Sequence, residues 1–285
     1  MNMSELLKKL ETYADSDYLP MHMPGHKRRM GDLGNPFFID ITEIDGFDDL
    51  HHAEGILKQA EERAAELYGS EETHYLVNGS TSGILAAISG CTAAGGTVLL
   101  ARNSHKSAYH AVLLRGLHVH YIYPQPAGKM GINGPVTAEN VDRLLEEHPE
   151  TKMVYITSPT YDGVVSDVEQ IAEVVHRRKL PLIVDEAHGA HFPFSEQFPK
   201  DSVSCGADVV IHSVHKTLPS LTQTALIHLN GDLINREKIR YFLGVYQSSS
   251  PSYVMMAGID QCMEWVSSHR KEFDLYKKIW KESHR

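Results

Sequence analysis

The sequence predicts an α/β fold, a mostly parallel (mixed) sheet with helices on both faces. Three observations predict it. From about Glu54, short apolar runs alternate with amphipathic runs of helix length, the pattern of βαβ units. The apolar runs are short enough to be strands buried between helical layers. The polar residues of chemical interest stand where those runs end, and open α/β sheets bind their ligands there.

Taken in order, Ser4–Tyr13 carries Leu6, Leu7 and Leu10 and suits a short amphipathic helix. Two irregular stretches follow, Leu19-Pro20-Met21-His22-Met23-Pro24-Gly25-His26-Lys27 and the acidic Asp45-Gly46-Phe47-Asp48-Asp49-Leu50. Loops of this length that carry His, Lys and Asp are usually disordered or functional. Glu54–Tyr68 reads as a helix ended by Gly69. Strands are expected at 73–77, 97–101, 119–123, 153–157, 182–184, 209–212 and 225–229. Helices are expected at 81–91, 105–115, 137–147, 168–178, 232–245 and from Tyr253 onward. No internal repeat or low-complexity tract interrupts the pattern.

A chain of 285 residues can bury a substantial core. Its formal net charge of −10 argues against nucleic acid or an anionic membrane as partner and is compatible with a cationic substrate. No apolar run is long enough to span a bilayer, and the N-terminus lacks the layout of a signal peptide. Cys91, Cys205 and Cys262 are widely spaced and form no CxxC pair. Together these features suit a reducing cytoplasm.

The chemistry starts at Ser213-Val214-His215-Lys216, directly after the strand Val209–His212. A lysine at the mouth of a sheet is partly desolvated, which lowers its pKa and makes the amine a nucleophile toward an aldehyde. Most lysines are solvated surface charges, so Lys216 alone is weak evidence. Asp185 closes the apolar run Leu182–Val184. It could be a Mg²⁺ ligand, a helix cap, a partner for a buried cation, or the carboxylate that keeps a pyridine nitrogen protonated. Val77-Asn78-Gly79-Ser80-Thr81-Ser82-Gly83 is a strand, a small-residue turn and a helix start. Ser80, Thr81 and Ser82 there offer hydroxyls and the helix offers unpaired N–H groups to a phosphate, although a plain N-cap accounts for one of them. Ser213 could add another hydroxyl. His105, after the strand ending at Ala101, could stack on a ring or simply cap the next helix. Asp185, His188 and His191 can also be written as a metal set, DxxHxxH, but its first member competes with the pyridine role, and no metal is expected.

As an ordered set, these motifs resemble the Orn/Lys/Arg decarboxylase family of pyridoxal-phosphate (PLP) enzymes, of the aspartate-aminotransferase type, fold type I. The resemblance runs from Pro24-Gly25-His26-Lys27 and Asp45–Leu50 through Asn78–Gly83, Arg102–Ser107, Ser158-Pro159-Thr160-Tyr161, Asp185-Glu186-Ala187-His188-Gly189-Ala190-His191, Ser213–Lys216 and Leu221-Thr222-Gln223 to Ser250-Pro251-Ser252-Tyr253. It is strongest to the shorter bacterial branch.

The resemblance implies that Lys216 holds PLP as a Schiff base with His215 beside it. It implies that Asp185 pairs with the pyridine nitrogen and His105 stacks on the ring. Ser80, Thr81, Ser82 and Ser213 would bind phosphate, and His188 would lie near the cofactor. Members are dimers or dimer-based assemblies, so Ser249 would reach the partner's phosphate. The implied organisation is an N-terminal helix and active-site arm (1–52), a PLP-binding large domain (53–250), and a helix (251–285) leading toward a missing or truncated C-terminal domain. The implied reaction is decarboxylation of arginine, lysine or ornithine to a polyamine-pathway amine. The alternatives are a weakly active or inactive PLP-binding protein of the same fold, or another fold type I lyase, aldolase or transaminase.

Overall fold

The computed structural model describes residues 4–28, 33–128 and 131–283, with side chains to residue 276. Seven strands form one mixed sheet: β1 (Glu72–Leu76), β2 (Thr97–Ala101), β3 (His118–Ile122), β4 (Thr151–Thr157), β5 (Leu182–Asp185), β6 (Val209–His212) and β7 (Ala225–Leu229). Their spatial order is β1-β7-β6-β5-β4-β2-β3. The run from β6 to β3 is parallel, and β7 is antiparallel to both β6 and β1. The expected fold class is the observed one.

The helices are α1 (Glu5–Ala14), α2 (Ile56–Tyr68), α3 (Gly79–Cys91), α4 (Lys106–Arg115), α5 (Ala138–Glu147), α6 (Val168–Arg177), the single turn α7 (Val214–Thr217), α8 (Arg236–Tyr246), α9 (Tyr253–Ser268) and α10 (Arg270–Ser283). Most begin on a cap that the sequence supplies: Ser4, Thr137, Asp167, Asn235 and Ser252 each accept a backbone N–H of the first turn. Gly69 and Gly116 close α2 and α4 in the left-handed conformation. The helix expected over 232–245 begins only at Arg236, because Asn235 is the residue that caps it. The helix expected from Tyr253 onward is interrupted at His269.

One face of the sheet packs on α3, α4 and α8, through Ile84, Ile88, Ala108 and Leu243 against Leu100, Tyr155 and Ile211. The other face is covered in two halves. Val141, Leu145, Ile171 and Val175 of α5 and α6 meet Val154, Val184 and Val210. Ala64, Tyr68, Met256 and Ile259 of α2 and α9 meet Tyr75 and Leu226. Every residue of β5, β6 and β7 is buried, so the residue that follows each strand is held rigidly at the sheet's rim. Helix α1 forms as expected but buries none of its residues, and Leu6, Leu7 and Leu10 are exposed. Among the described residues no helix is long and apolar enough to cross a membrane.

Candidate active site

Strand β5 delivers Asp185 to the rim with its carboxylate buried. Tyr155, on the neighbouring β4, donates its hydroxyl to Oδ2 at 3.2 Å, and the Ala187 N–H donates to Oδ1 at 3.1 Å. Burial raises the Asp185 pKa, opposed by the Ala187 N–H, Lys216 and Tyr155. The next strand, β6, runs into Ser213 and then into α7, which carries Lys216. The amine is half-buried, and burial lowers its pKa against the pull of Asp185.

Lys216 Nζ lies 3.1 Å from His188 Nε2. His188 is pushed down to about 4 by burial, then by Lys216, His215 and His105. It is therefore a neutral imidazole, and its Nε2 accepts from the ammonium. His215 Nδ1 lies 2.8 Å from the Thr224 carbonyl. A carbonyl can only accept, so Nδ1 carries the hydrogen and Nε2 is the bare nitrogen.

The β1–α3 turn builds the opposite wall. Gly79 has a φ of 73°, a conformation in which a side chain would be strained. It turns the chain so that Ser80 and Thr81 face the cavity at the start of α3. The hydroxyls of Ser80 and Ser213 hydrogen-bond to each other, bringing the two proposed phosphate ligands together. His105 caps α4, with its Nδ1 accepting from the Ser107 N–H and 2.7 Å from the Ser107 hydroxyl. Burial lowers its pKa as well.

These groups line one cavity of about 720 Å³ beyond the carboxyl ends of the parallel strands. The N-terminal arm forms its rim through Met21, His22 and Met23. The arm is tied down by the Gly25 N–H, which donates to the His215 carbonyl at 2.7 Å. A Cβ on Gly25 would stand 2.5 Å from the Leu218 carbonyl oxygen, so only glycine lets the arm approach the lysine turn.

Three features of the lining suit PLP. Asn103 Oδ1 and Thr157 Oγ1 line the cavity, are buried, and have no hydrogen-bond partner among the described residues. Such unmet groups suit a polar ligand. The hydroxyl pair and the α3 N-terminus suit a phosphate. A buried carboxylate across from a desolvated amine suits a pyridine aldehyde. The residues present fit the cofactor.

The family model "Orn/Lys/Arg decarboxylase, major domain" matches residues 4–283. The chain belongs to this family. It is 39% identical to YaaO of Bacillus subtilis, an uncharacterised protein, over 96% of this chain and 59% of that one. It is 34% identical to the arginine decarboxylase of the same organism, over 92% of this chain and 55% of the relative. The chain thus spans somewhat over half the length of these curated relatives. Among solved structures, lysine decarboxylase A from Pseudomonas aeruginosa superposes with a TM-score of 0.74 at 23% identity, over 96% of this chain and 41% of that one. PLP-bound enzymes share the fold too, which is that of fold type I.

Within this decarboxylase-family fold, Lys216, His215, Asp185, His105, His188, Ser80, Thr81 and Ser213 converge on the one cavity. One residue expected there does not. Ser82 is buried and its hydroxyl donates back to the Gly79 carbonyl at 2.8 Å, so that side chain is spent inside α3. Ser249, expected to reach the phosphate of a partner, lies on an exposed loop.

The acidic stretch has a structural use. Asp48 accepts the N–H groups of Glu54, Gly55 and Leu57 at 3.1, 2.7 and 3.1 Å. It caps α2, whose own N-cap residue, Gly55, has no side chain to do so. The alternative metal set does not assemble: His188 faces Lys216, while His191 packs edge-on against Phe198 at 4.6 Å.

Three contributors went unassigned from sequence. Thr157 and Asn103 stand at or just past the ends of β4 and β2, where the strand-end rule could have found them. Tyr155 was hidden as one more apolar strand residue. A further polar chain lies behind the site. Glu186 bonds Ser202 and, at 2.9 Å, His212 Nε2. His212 Nδ1 reaches His228 Nε2 at 3.0 Å, and His228 Nδ1 reaches Thr73 at 2.7 Å.

Proposed function

We propose that this chain forms a PLP-dependent site that decarboxylates a basic amino acid (arginine, lysine or ornithine) and releases the corresponding polyamine-pathway amine. The observation that carries the reading is the half-buried Lys216 amine sharing one cavity with the buried Asp185 carboxylate. Membership of the decarboxylase family supports it, as do the arginine and lysine specificities named for its relatives.

PLP, when bound, supplies an electron-poor ring that takes up the electron pair left behind as an α-carboxylate departs as CO₂. The residues of the chain set the conditions for that chemistry. Asp185 holds a proton on the ring nitrogen, and Tyr155 and Ala187 fix the carboxylate that does so. Lys216 is the amine that holds the cofactor, and burial keeps a larger share of it in the nucleophilic form. His188 takes or returns a proton at Lys216 Nζ. The bare Nε2 of His215, once protonated, can deliver a proton to the substrate's α-carbon. Ser80, Thr81, Ser213 and the α3 N-terminus would hold the phosphate, and His105 would pack against the ring.

Asp185 is the sole carboxylate among the described residues of the lining. The distal cation of the substrate is therefore met from outside this wall, and a second copy of the chain is the source we favour. Tyr161 on the lining is 86% exposed, and Phe37 and Phe38 are 84% and 85% exposed. Such apolar exposure at and near the arm supports self-association, with Ser249 reaching across. The three unpaired cysteines suit a reducing compartment such as the cytoplasm.

The test is CO₂ release from carboxyl-labelled arginine, lysine and ornithine with PLP present. Release from one or more of them, abolished in Lys216→Ala, is expected. Cofactor uptake with no release from any of the three would overturn the decarboxylase reading.

A further inference from the structure

Of the six buried side-chain polar atoms without a partner among the described residues, two line the Lys216 cavity. Two more, His191 Nδ1 and Thr217 Oγ1, line a second cavity of about 410 Å³. The two cavities share two walls. Residues 185–191 present His188 to the first and His191 to the second. The α7 turn presents Lys216 to the first and Thr217 to the second.

The rest of the second cavity is largely aromatic. Trp265 of α9 and Phe273 of α10 meet with ring centroids 5.9 Å apart and planes at 67°. Phe198 stands edge-on to His191 at 4.6 Å and to Phe273 at 6.5 Å, with planes at 80° and 84°. Rings set this steeply line a corner instead of stacking shut. Glu272 of α10 is the sole charged group of the described lining. It is exposed and makes no ion pair among the described residues. Burial, and then His212, hold His191 down to about 4, so its ring is neutral and Nδ1 can stand bare as an acceptor. Thr217 Oγ1 accepts as well. A water molecule meets the two polar atoms but makes no use of the rings or the carboxylate. Acceptors, a carboxylate and π systems around one space all favour a cation that carries several N–H groups.

We propose that this second cavity binds a small organic cation of the guanidinium class. Its rings pack on the planar cation, and Glu272, Thr217 and His191 accept its N–H groups. Three acceptors around one space suit the five-donor fork of a guanidinium better than the compact head of an ammonium. The volume lies within the range of small-molecule sites. Thr217 follows Lys216 directly, so an occupant rests against the turn that carries the cofactor amine. The site is distinct from the Lys216 cavity and independent of the decarboxylase reading.

The test titrates butylguanidine calorimetrically into PLP-loaded protein. Binding is expected with a Kd of about 1 mM or tighter. Butylurea, a neutral isostere, should bind at least about tenfold more weakly. E272Q and T217V keep the shape of the side chain, and each should weaken butylguanidine binding about fivefold. F198L keeps apolar bulk but removes a ring, and should weaken it about threefold. Neither Glu272 nor Thr217 lines the Lys216 cavity, so the E272Q/T217V double variant locates the binding. No heat of binding, equal affinity for butylurea, or affinity unchanged in the double variant would overturn the proposal.

Discussion

Asp185 and Glu186 are neighbours in the chain, as are His212 and Ser213, yet each pair is divided between two regions of opposite character. Asp185 and Ser213 open into the cavity with Lys216, His188 and two buried polar atoms that lack partners among the described residues. Glu186 and His212 turn into the protein and complete a chain through His228 to Thr73.

Both regions use carboxylates, imidazoles and hydroxyls. In the interior chain each group meets the next, and burial pushes Glu186 well up, His212 down to about 4 and His228 well down. All are then neutral, and the hydrogen bonds run one way: Glu186 O–H to His212, His212 to His228, His228 to Thr73. The comparison teaches that unmet hydrogen-bonding capacity separates a ligand site from a structural network, while residue type does not.

The comparison breaks most sharply at its two carboxylates. Asp185→Asn keeps one oxygen to accept the Ala187 N–H and turns its amide N–H₂ toward the Tyr155 hydroxyl oxygen, but cannot hold a proton on a ring nitrogen. Turnover should fall by about 10²–10³-fold. The melting temperature should hold or rise, because a buried charge has been removed. Glu186→Ala should do the converse, costing about 2–4 kcal/mol by leaving His212 unpaired beside a cavity. Glu186→Gln, a neutral isostere, should stay within about 1 kcal/mol of the parent. Denaturant melts of the three variants beside their CO₂ release check both claims.

The pH dependence of stability sharpens the same contrast. Burial lowers His188, His191 and His212 to about 4 in the folded chain, against about 6.5 when unfolded. On acidification the unfolded state takes up protons first, so these three residues lose their contribution as pH falls from about 6.5 to about 4. Glu186, protonated when folded, partly offsets them. His74 has the opposite sign: burial lowers it, but Glu61 and Glu72 outweigh burial and hold it up to about 9. Its contribution is lost as pH rises from about 6.5 to about 9. Melting temperature against pH should therefore fall on both sides, and His74→Gln should flatten the alkaline side.

The smallest effect separates two serines of one turn. Ser80→Ala should weaken PLP affinity about fivefold, by loss of one hydrogen bond to phosphate. Ser82→Ala, whose hydroxyl is already committed to Gly79, should leave that affinity unchanged. Equilibrium titration of PLP absorbance distinguishes them.

Much of this was legible in the sequence, for local reasons. The strands announced themselves as short apolar runs, and Asp185 and Lys216 as polar residues closing two of them. What was hidden depended on direction or distance. Whether a serine near a helix start faces a ligand or its own turn is a matter of rotamer, which separates Ser80 from Ser82. Asp48 caps a helix that begins eight residues later, beyond the reach of a capping motif. His212 and His228 read as single polar residues in apolar strands, and only the pairing of β6 with β7 makes them partners.

The central claim is that the amine of Lys216 holds the cofactor. Borohydride reduction of the PLP-loaded protein, followed by proteolysis and mass mapping, reads it directly. The reduced pyridoxyl mass should fall on the peptide containing Ser213-Val214-His215-Lys216. A label on a different lysine, or none at saturating PLP, would contradict it.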